Sequence, residues 1–227
     1  MADELDELNP SDVVFLEKLK ESKNTAIFKV AVNGTICVMK VYHSRSRSDA
    51  SSPDLEVDLF TCESTAYRRM KAKGLCTRGV VPDFYGTITN IQPTLWPSLH
   101  MFIGDKLPPN AIIIEYIANM EPIGLSNFSE HRLAELYHIL KDIHQVRILH
   151  GDPYPRNMMI AEGEQDRVLW IDFDSAQTFS EGPLSPKQEK WFKEEIEMMD
   201  YFVKDLTEDY KEGRINHTRS YYYEWYV

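Results

Sequence analysis

The side chains best suited to do chemistry in this chain gather in one short stretch. His150-Gly151-Asp152-Pro153-Tyr154-Pro155-Arg156-Asn157 holds a carboxylate and a carboxamide, and Trp170-Ile171-Asp172-Phe173 adds a second carboxylate. The apolar run Met158-Met159-Ile160 follows the asparagine, and Arg167-Val168-Leu169-Trp170-Ile171 precedes the second aspartate. Two short strands joined by a turn would bring Asp152, Asn157 and Asp172 to one end of a hairpin. Phosphoryl transfer needs such a set: a carboxylate that orients a hydroxyl and accepts its proton, and oxygen ligands for magnesium. The plain alternative is a chance H-x-D beside an ordinary acidic strand end. Residue types, spacing and strand context together weigh against it.

Elements that can position this set are legible upstream. Val13 to Tyr42 reads as three strands, with Asn33-Gly34 as a two-residue hairpin turn between the second and third. Alternation along the third strand puts Ile36, Val38 and Lys40 on one face. Residues 44–53 are serine-rich and read as a loop, and Leu55 to Lys73 reads as a helix stopped by Gly74. Val80 to Ile88 and Ala111 to Ile117 are two further strands, separated by a proline-rich excursion from Gln92 to Pro109. Phe128 to Val146 is an amphipathic helix with Leu133, Leu136, Tyr137, Leu140 and Ile143 on its core stripe, and Pro186 to Lys211 is a second long helix. The fold class is therefore α+β: a five-stranded sheet with one helix, then a mostly helical half.

The order of elements and the H-x-D-x-x-x-x-N and D-F motifs resemble the catalytic core of the protein-kinase-like family. The H-G-D form is similar to aminoglycoside and choline phosphotransferases, to small kinase-like proteins of filamentous fungi, and in size to the kinases of the tRNA threonylcarbamoylation complex. The resemblance implies a two-lobed fold, with an acidic arm at 1–12, a five-stranded antiparallel N-lobe with one helix and the hinge at 13–117, and a reduced helical C-lobe with an aromatic tail at 118–227. It implies that Asp152 is the catalytic carboxylate, with Asn157 beside it, and that Asn157 and Asp172 hold Mg²⁺. It implies that Lys40 holds ATP phosphates, positioned by helical Glu63 rather than by Glu56, whose place near the helix start suits the helix dipole. Val38 would cover the adenine, and backbone groups of Glu115 and Ile117 would meet its edge.

The chain also departs from the family pattern. Gly151 replaces the arginine that reads a phosphorylated activation loop, so no switch of that kind is expected. Asp174 replaces the glycine of D-F-G, and no A-P-E motif follows Ser175 to Pro183. Glu21-Ser22-Lys23-Asn24-Thr25 has no glycine where the family has its phosphate-covering loop; there Lys23 could add charge. His150 reads as a packed structural histidine. Met199-Asp200-Tyr201 resembles the V-D-L of the corresponding helix in the threonylcarbamoylation-complex kinases, which implies that Asp200 braces the catalytic loop from beneath. The reading is an ATP- and Mg²⁺-dependent phosphotransferase acting on a hydroxyl of a protein or a small molecule. Its rivals are a nucleotide-binding scaffold and an ATPase that drives a partner complex.

The net charge of −11 over 227 residues argues against a nucleic-acid partner held by a basic surface. No apolar run approaches a membrane span. The acidic start is unlike a targeting signal, and the three cysteines suit a reduced compartment, so a cytoplasmic protein is expected, with the nucleus also compatible. The sequon at Asn216 is then a chance match. The tail Tyr221-Tyr222-Tyr223-Glu224-Trp225-Tyr226-Val227 is read as packing on the helical half, or as a dock for a protein partner.

Overall fold

The computed structural model describes residues 10–44, 55–163 and 166–215. Most of the acidic arm, the serine-rich segment from residue 45, the sequon and the aromatic tail lie outside them. Five strands form one antiparallel sheet: β1 (Val13–Glu21), β2 (Thr25–Val32), β3 (Thr35–Tyr42), β4 (Phe84–Ile88) and β5 (Asn110–Glu115), in the order β1-β2-β3-β5-β4. The expected turn joins β2 to β3, with φ of 48° at Asn33 and 81° at Gly34. Both central residues are left-handed, the geometry whose twist matches a two-residue hairpin.

The two faces of this sheet differ. Phe28, Val30, Cys37, Met39, Val41 and Ile113 point to an outer core with Trp96, Leu99 and Phe102. Those last three come from the proline-rich segment, which forms two 3₁₀ turns (Pro93–Leu95 and Pro97–Phe102). The excursion is thus a lid over the sheet, anchored by its apolar residues. On the inner face, register puts Val14, Ala31 and Ile36 in one row, and Ile27, Lys40 and Ile112 in another. Val14 and Ile36 are exposed.

Helix α1 (Leu59–Ala72) lies under the inner face and starts later than the sequence suggested. The carboxylate of Asp58 accepts the Thr61 amide hydrogen, and that of Glu56 accepts those of Val57 and Asp58. Two acidic residues cap the helix and hold the preceding residues outside it. Likewise β4 begins only at Phe84, because Pro82 cannot donate to a ladder. Helix α2 (Glu130–Gln145) is capped by Ser129, and α3 (Pro186–Glu212) by a Ser185/Gln188 capping box and by Gly213.

Small antiparallel ladders fill the second half. β6 (Met120–Pro122), β8 (Met158–Ala161) and β9 (Arg167–Trp170) form one, and β7 (Ile148–Leu149) pairs with β10 (Gln177–Thr178) in the other. One apolar core runs through Tyr67, Met70, Phe84 and Ile112 to Leu136, Ile139, Trp170, Phe173 and Phe202. It ties α1 and the sheet to α2, β9 and α3. Among the described residues no helix is long and apolar enough to cross a membrane.

Candidate active site

Lys40 is buried near the middle of the sheet's inner face. A buried ammonium needs counter-charges, and three converge on it. Nζ lies 2.7 Å from Glu63 Oε2, 2.5 Å from Asp172 Oδ1 and 3.1 Å from Asp174 Oδ2. Glu63 sits on the buried stripe of α1, beside Ala66, Tyr67 and Met70. Its other oxygen accepts the Phe173 amide hydrogen at 3.3 Å, and the Tyr42 hydroxyl donates to Oε2. Glu63 therefore links β3, α1 and the segment after β9. Glu56 is exposed and serves the helix start.

The charges respond to this crowding. Burial pushes the Glu63 carboxyl up and Lys40 pulls it back, while Asp172 and Asp174 push it up again, to about 7. Burial also raises Asp172, but Lys40 outweighs it, with His150 and Lys20 helping, and the carboxyl falls to about 2. Asp174 is raised, by burial first. Lys40 goes well above its ordinary value, because Glu63 and the other anions around it outweigh its burial.

The H-G-D loop lies between β7 and β8. The carboxylate of Asp152 accepts from Arg156 at 2.6 Å and from the Asn157 amide at 2.8 Å; that same amide group also donates to the Asp152 carbonyl at 2.8 Å. Asn157 is buried, and with its nitrogen so engaged its carboxamide oxygen is the atom left to act as a ligand. As expected from the sequence, Asn157 and Asp172 flank the end of a hairpin: Met158 pairs with Trp170, and Ile171 donates to the Asn157 carbonyl at 3.2 Å. Asp172 has φ of 66°, an uncommon left-handed conformation for a residue other than glycine.

Gly151 is required by its neighbours. It has φ of 80°, and a Cβ there would sit 2.2 Å from the Ser175 carbonyl oxygen. His150 is fully buried, and its Nδ1 accepts the Asp152 amide hydrogen at 3.3 Å, so Nε2 donates to the Ile171 carbonyl at 3.2 Å. Burial pulls its pKa down, although Glu195 and Asp152 oppose this. It is a packing and orienting residue, in keeping with the sequence reading.

The brace beneath the loop is Glu195, which the sequence did not single out. From α3 it accepts the amide hydrogens of His150 at 3.0 Å and Gly151 at 2.8 Å, and it bonds His144 Nε2 at 2.6 Å. Asp200, the expected brace, is exposed more than a turn further along α3 and lines a groove of about 370 Å³ with Leu133, Tyr137 and Val203. Arg156, Tyr42 and Asp174 are three further site residues that the sequence did not place there. For Tyr42 a signal existed, since it lies two positions beyond Lys40 and so on the same strand face.

Three candidates from the sequence remain: Val38, Glu115 and Ile117. Val38 is partly buried against the main core, one row from Lys40. Ile117 packs with Met159, Leu169 and Ile171 in a separate small apolar cluster. Glu115 donates its amide hydrogen to the Asp83 carbonyl at 2.8 Å, and its carboxylate pairs with Arg167 at 2.5 Å. No protein-family model matches the chain, and no curated protein sequence matches it.

The donor set suits a hard cation. Asp172 offers a carboxylate and Asn157 a carboxamide oxygen, the oxygen ligands magnesium prefers. The side chain of Asp172 is 36% exposed, enough to admit metal-bound water and phosphate oxygens. Glu63, Asp172 and Asp174 also bring carboxylate oxygens within 4.8 Å of one another, with Lys40 among them.

Proposed function

We propose that the chain is an ATP- and Mg²⁺-dependent phosphotransferase with a two-lobed protein-kinase-like fold, whose lobes meet near residue 117. The observation that carries this reading is the Glu63–Lys40–Asp172 ion-pair chain, with Lys40 as the shared partner. Lys40 and Asp172 are 132 positions apart in sequence, and a charge cluster drawn from β3, α1 and the end of β9 is hard to explain as a stabilising device alone. Buried ion pairs add little net stability compared with apolar packing.

In the proposed reaction Lys40 holds the non-transferred phosphates by charge-assisted hydrogen bonds, and Glu63 fixes its direction. Asp172 and Asn157 hold Mg²⁺, which when bound neutralises charge on the phosphates. Asp152 orients the acceptor hydroxyl. The hydroxyl oxygen attacks the γ-phosphorus, the bond to the bridging oxygen breaks, ADP leaves and the proton passes to Asp152. Arg156 and Asn157 fix the carboxylate through one bond to each oxygen, so positioning is built in before substrate arrives. The exposed apolar residues Val14 and Ile36 on the inner sheet face suit one side of an adenine ring.

A nucleotide-binding scaffold is the second reading, favoured by Asp174, which adds a third carboxylate to Lys40 where the D-F-G motif has none. One experiment separates the two. Wild type and Asp172→Ala are incubated with γ-labelled ATP and Mg²⁺, and label is followed into protein, small molecules and inorganic phosphate. The expected result is transfer by wild type that falls at least a hundredfold in the variant. Nucleotide binding by wild type with no turnover would favour the scaffold, and label only in inorganic phosphate would mark an ATPase.

A further inference from the structure

We propose that Lys20, on the outermost strand of the sheet, is a second phosphate-holding cation of the site and takes over the role of the missing glycine-rich turn. The inference rests on the phosphotransferase reading above. The β1–β2 turn closes on itself: Ser22 donates its amide hydrogen to the Thr25 carbonyl at 2.8 Å, and its hydroxyl accepts those of Asn24 and Thr25 at 3.2 and 3.1 Å. These amides are engaged inside the turn and are not presented to an anion. With three of the turn's amides engaged in this way, side chains become the ribbon's main means of holding phosphate.

Register identifies the side chain. Lys18 stands opposite Phe28, which belongs to the outer core. In an unbroken ladder Lys20 would follow it onto that same outer face. Instead Leu19 is inserted as a bulge, so Lys20 stands opposite Ile27, and Ile27 stands opposite Lys40. A bulge re-aims the side chains beyond it, and directly opposed residues share a face. Lys20, Ile27 and Lys40 are therefore one row across the inner face. With strands about 4.8 Å apart, the two lysine backbones are separated by about 10 Å, so both long side chains can reach one triphosphate.

Two other cations of the ribbon are occupied. Lys18 pairs with Glu21 at 2.6 Å, and the Lys29 ammonium lies 4.1 Å above the Tyr116 ring. Lys20 is exposed and has no ion-pair partner among the described residues. Lys40 already faces three carboxylates, so an uncommitted second cation is what an incoming polyphosphate would meet.

The test is equilibrium binding of ATP and of adenosine at fixed Mg²⁺ to wild type, Lys20→Met, Lys20→Glu and Lys18→Met. Losing a charge-assisted contact should weaken ATP about tenfold or more in Lys20→Met and further in Lys20→Glu. Adenosine affinity should not change, nor should ATP affinity in Lys18→Met. Unchanged ATP affinity in Lys20→Met overturns the inference and leaves the nucleotide reading standing. Equal losses for adenosine and ATP, or an equal ATP loss in Lys18→Met, overturn it as well, since they mark a distorted sheet or a diffuse charge effect. No binding of either ligand by wild type overturns the phosphotransferase reading, and this role of Lys20 with it.

Discussion

The junction around Glu63 and the β1–β2 ribbon handle charge in opposite ways. At the junction the two central groups each have several partners: Glu63 accepts from Lys40, Tyr42 and Phe173, and Lys40 donates to three carboxylates. On the ribbon Lys18 and Lys20 are exposed, β1 is twice bulged and the turn is held by the amide and hydroxyl of one serine. The first region is organised before any ligand arrives, and the second has charge available but little to fix it. The difference teaches that an ion pair's worth lies in burial and partners rather than in its distance. Lys18–Glu21 at 2.6 Å is shorter than Lys40–Glu63 at 2.7 Å, yet its two side chains are 48% and 41% exposed against 6% and 1%.

The largest effect that could break this comparison is Glu63→Ala. Removing one partner of a buried pair should cost about 3–5 kcal/mol, or a fall in Tm of about 6–20 °C for a domain of this size, measured by calorimetry. A shift within error would mean that the junction is no more organised than the ribbon. A smaller effect concerns His150, whose folded pKa is depressed below its unfolded value near 6.5. Its contribution is fully present above pH 6.5 and is lost as pH falls, because the unfolded chain takes up a proton that the folded loop resists. Wild type should lose stability below pH 6.5 more steeply than His150→Asn, by at most about 1.4 kcal/mol per pH unit; parallel profiles would show that the loop tolerates the charge. The smallest effect is expected on the ribbon, where Lys18→Met should leave Tm unchanged.

Much of the frame was legible in the sequence because it rests on local signals. Asn33-Gly34 dictates its turn, the stripe of Leu133, Leu136, Leu140 and Ile143 its helix, and the run from Arg167 the strand that leads to Asp172. Lys40 and Glu63 were legible as a pair through their motif and their helix face. What stayed hidden depends on tertiary register or on groups that meet only in space. Nothing local distinguishes Glu195 from the other acidic residues of α3; what singles it out is that it lies under the amides of His150 and Gly151. Asp200 is less than two turns away on the same helix and is solvent-facing. The bulge at Leu19, which decides where Lys20 points, leaves no mark in composition. Asp174 was visible as a departure from a pattern, but its contact with Lys40 required the fold.

Gly151 carries a consequence for how this loop can change over time. With the Ser175 carbonyl 2.2 Å from where a Cβ would stand, no single substitution can install a longer side chain there. An arginine at that position would require the chain at Ser175 to withdraw first, and Ser175 lies beside the Asp172–Asp174 segment. The position therefore behaves as a ratchet: a charge sensor at this point of the loop cannot be gained by drift at one codon, and any lineage that acquired one would have had to rebuild two backbone segments together.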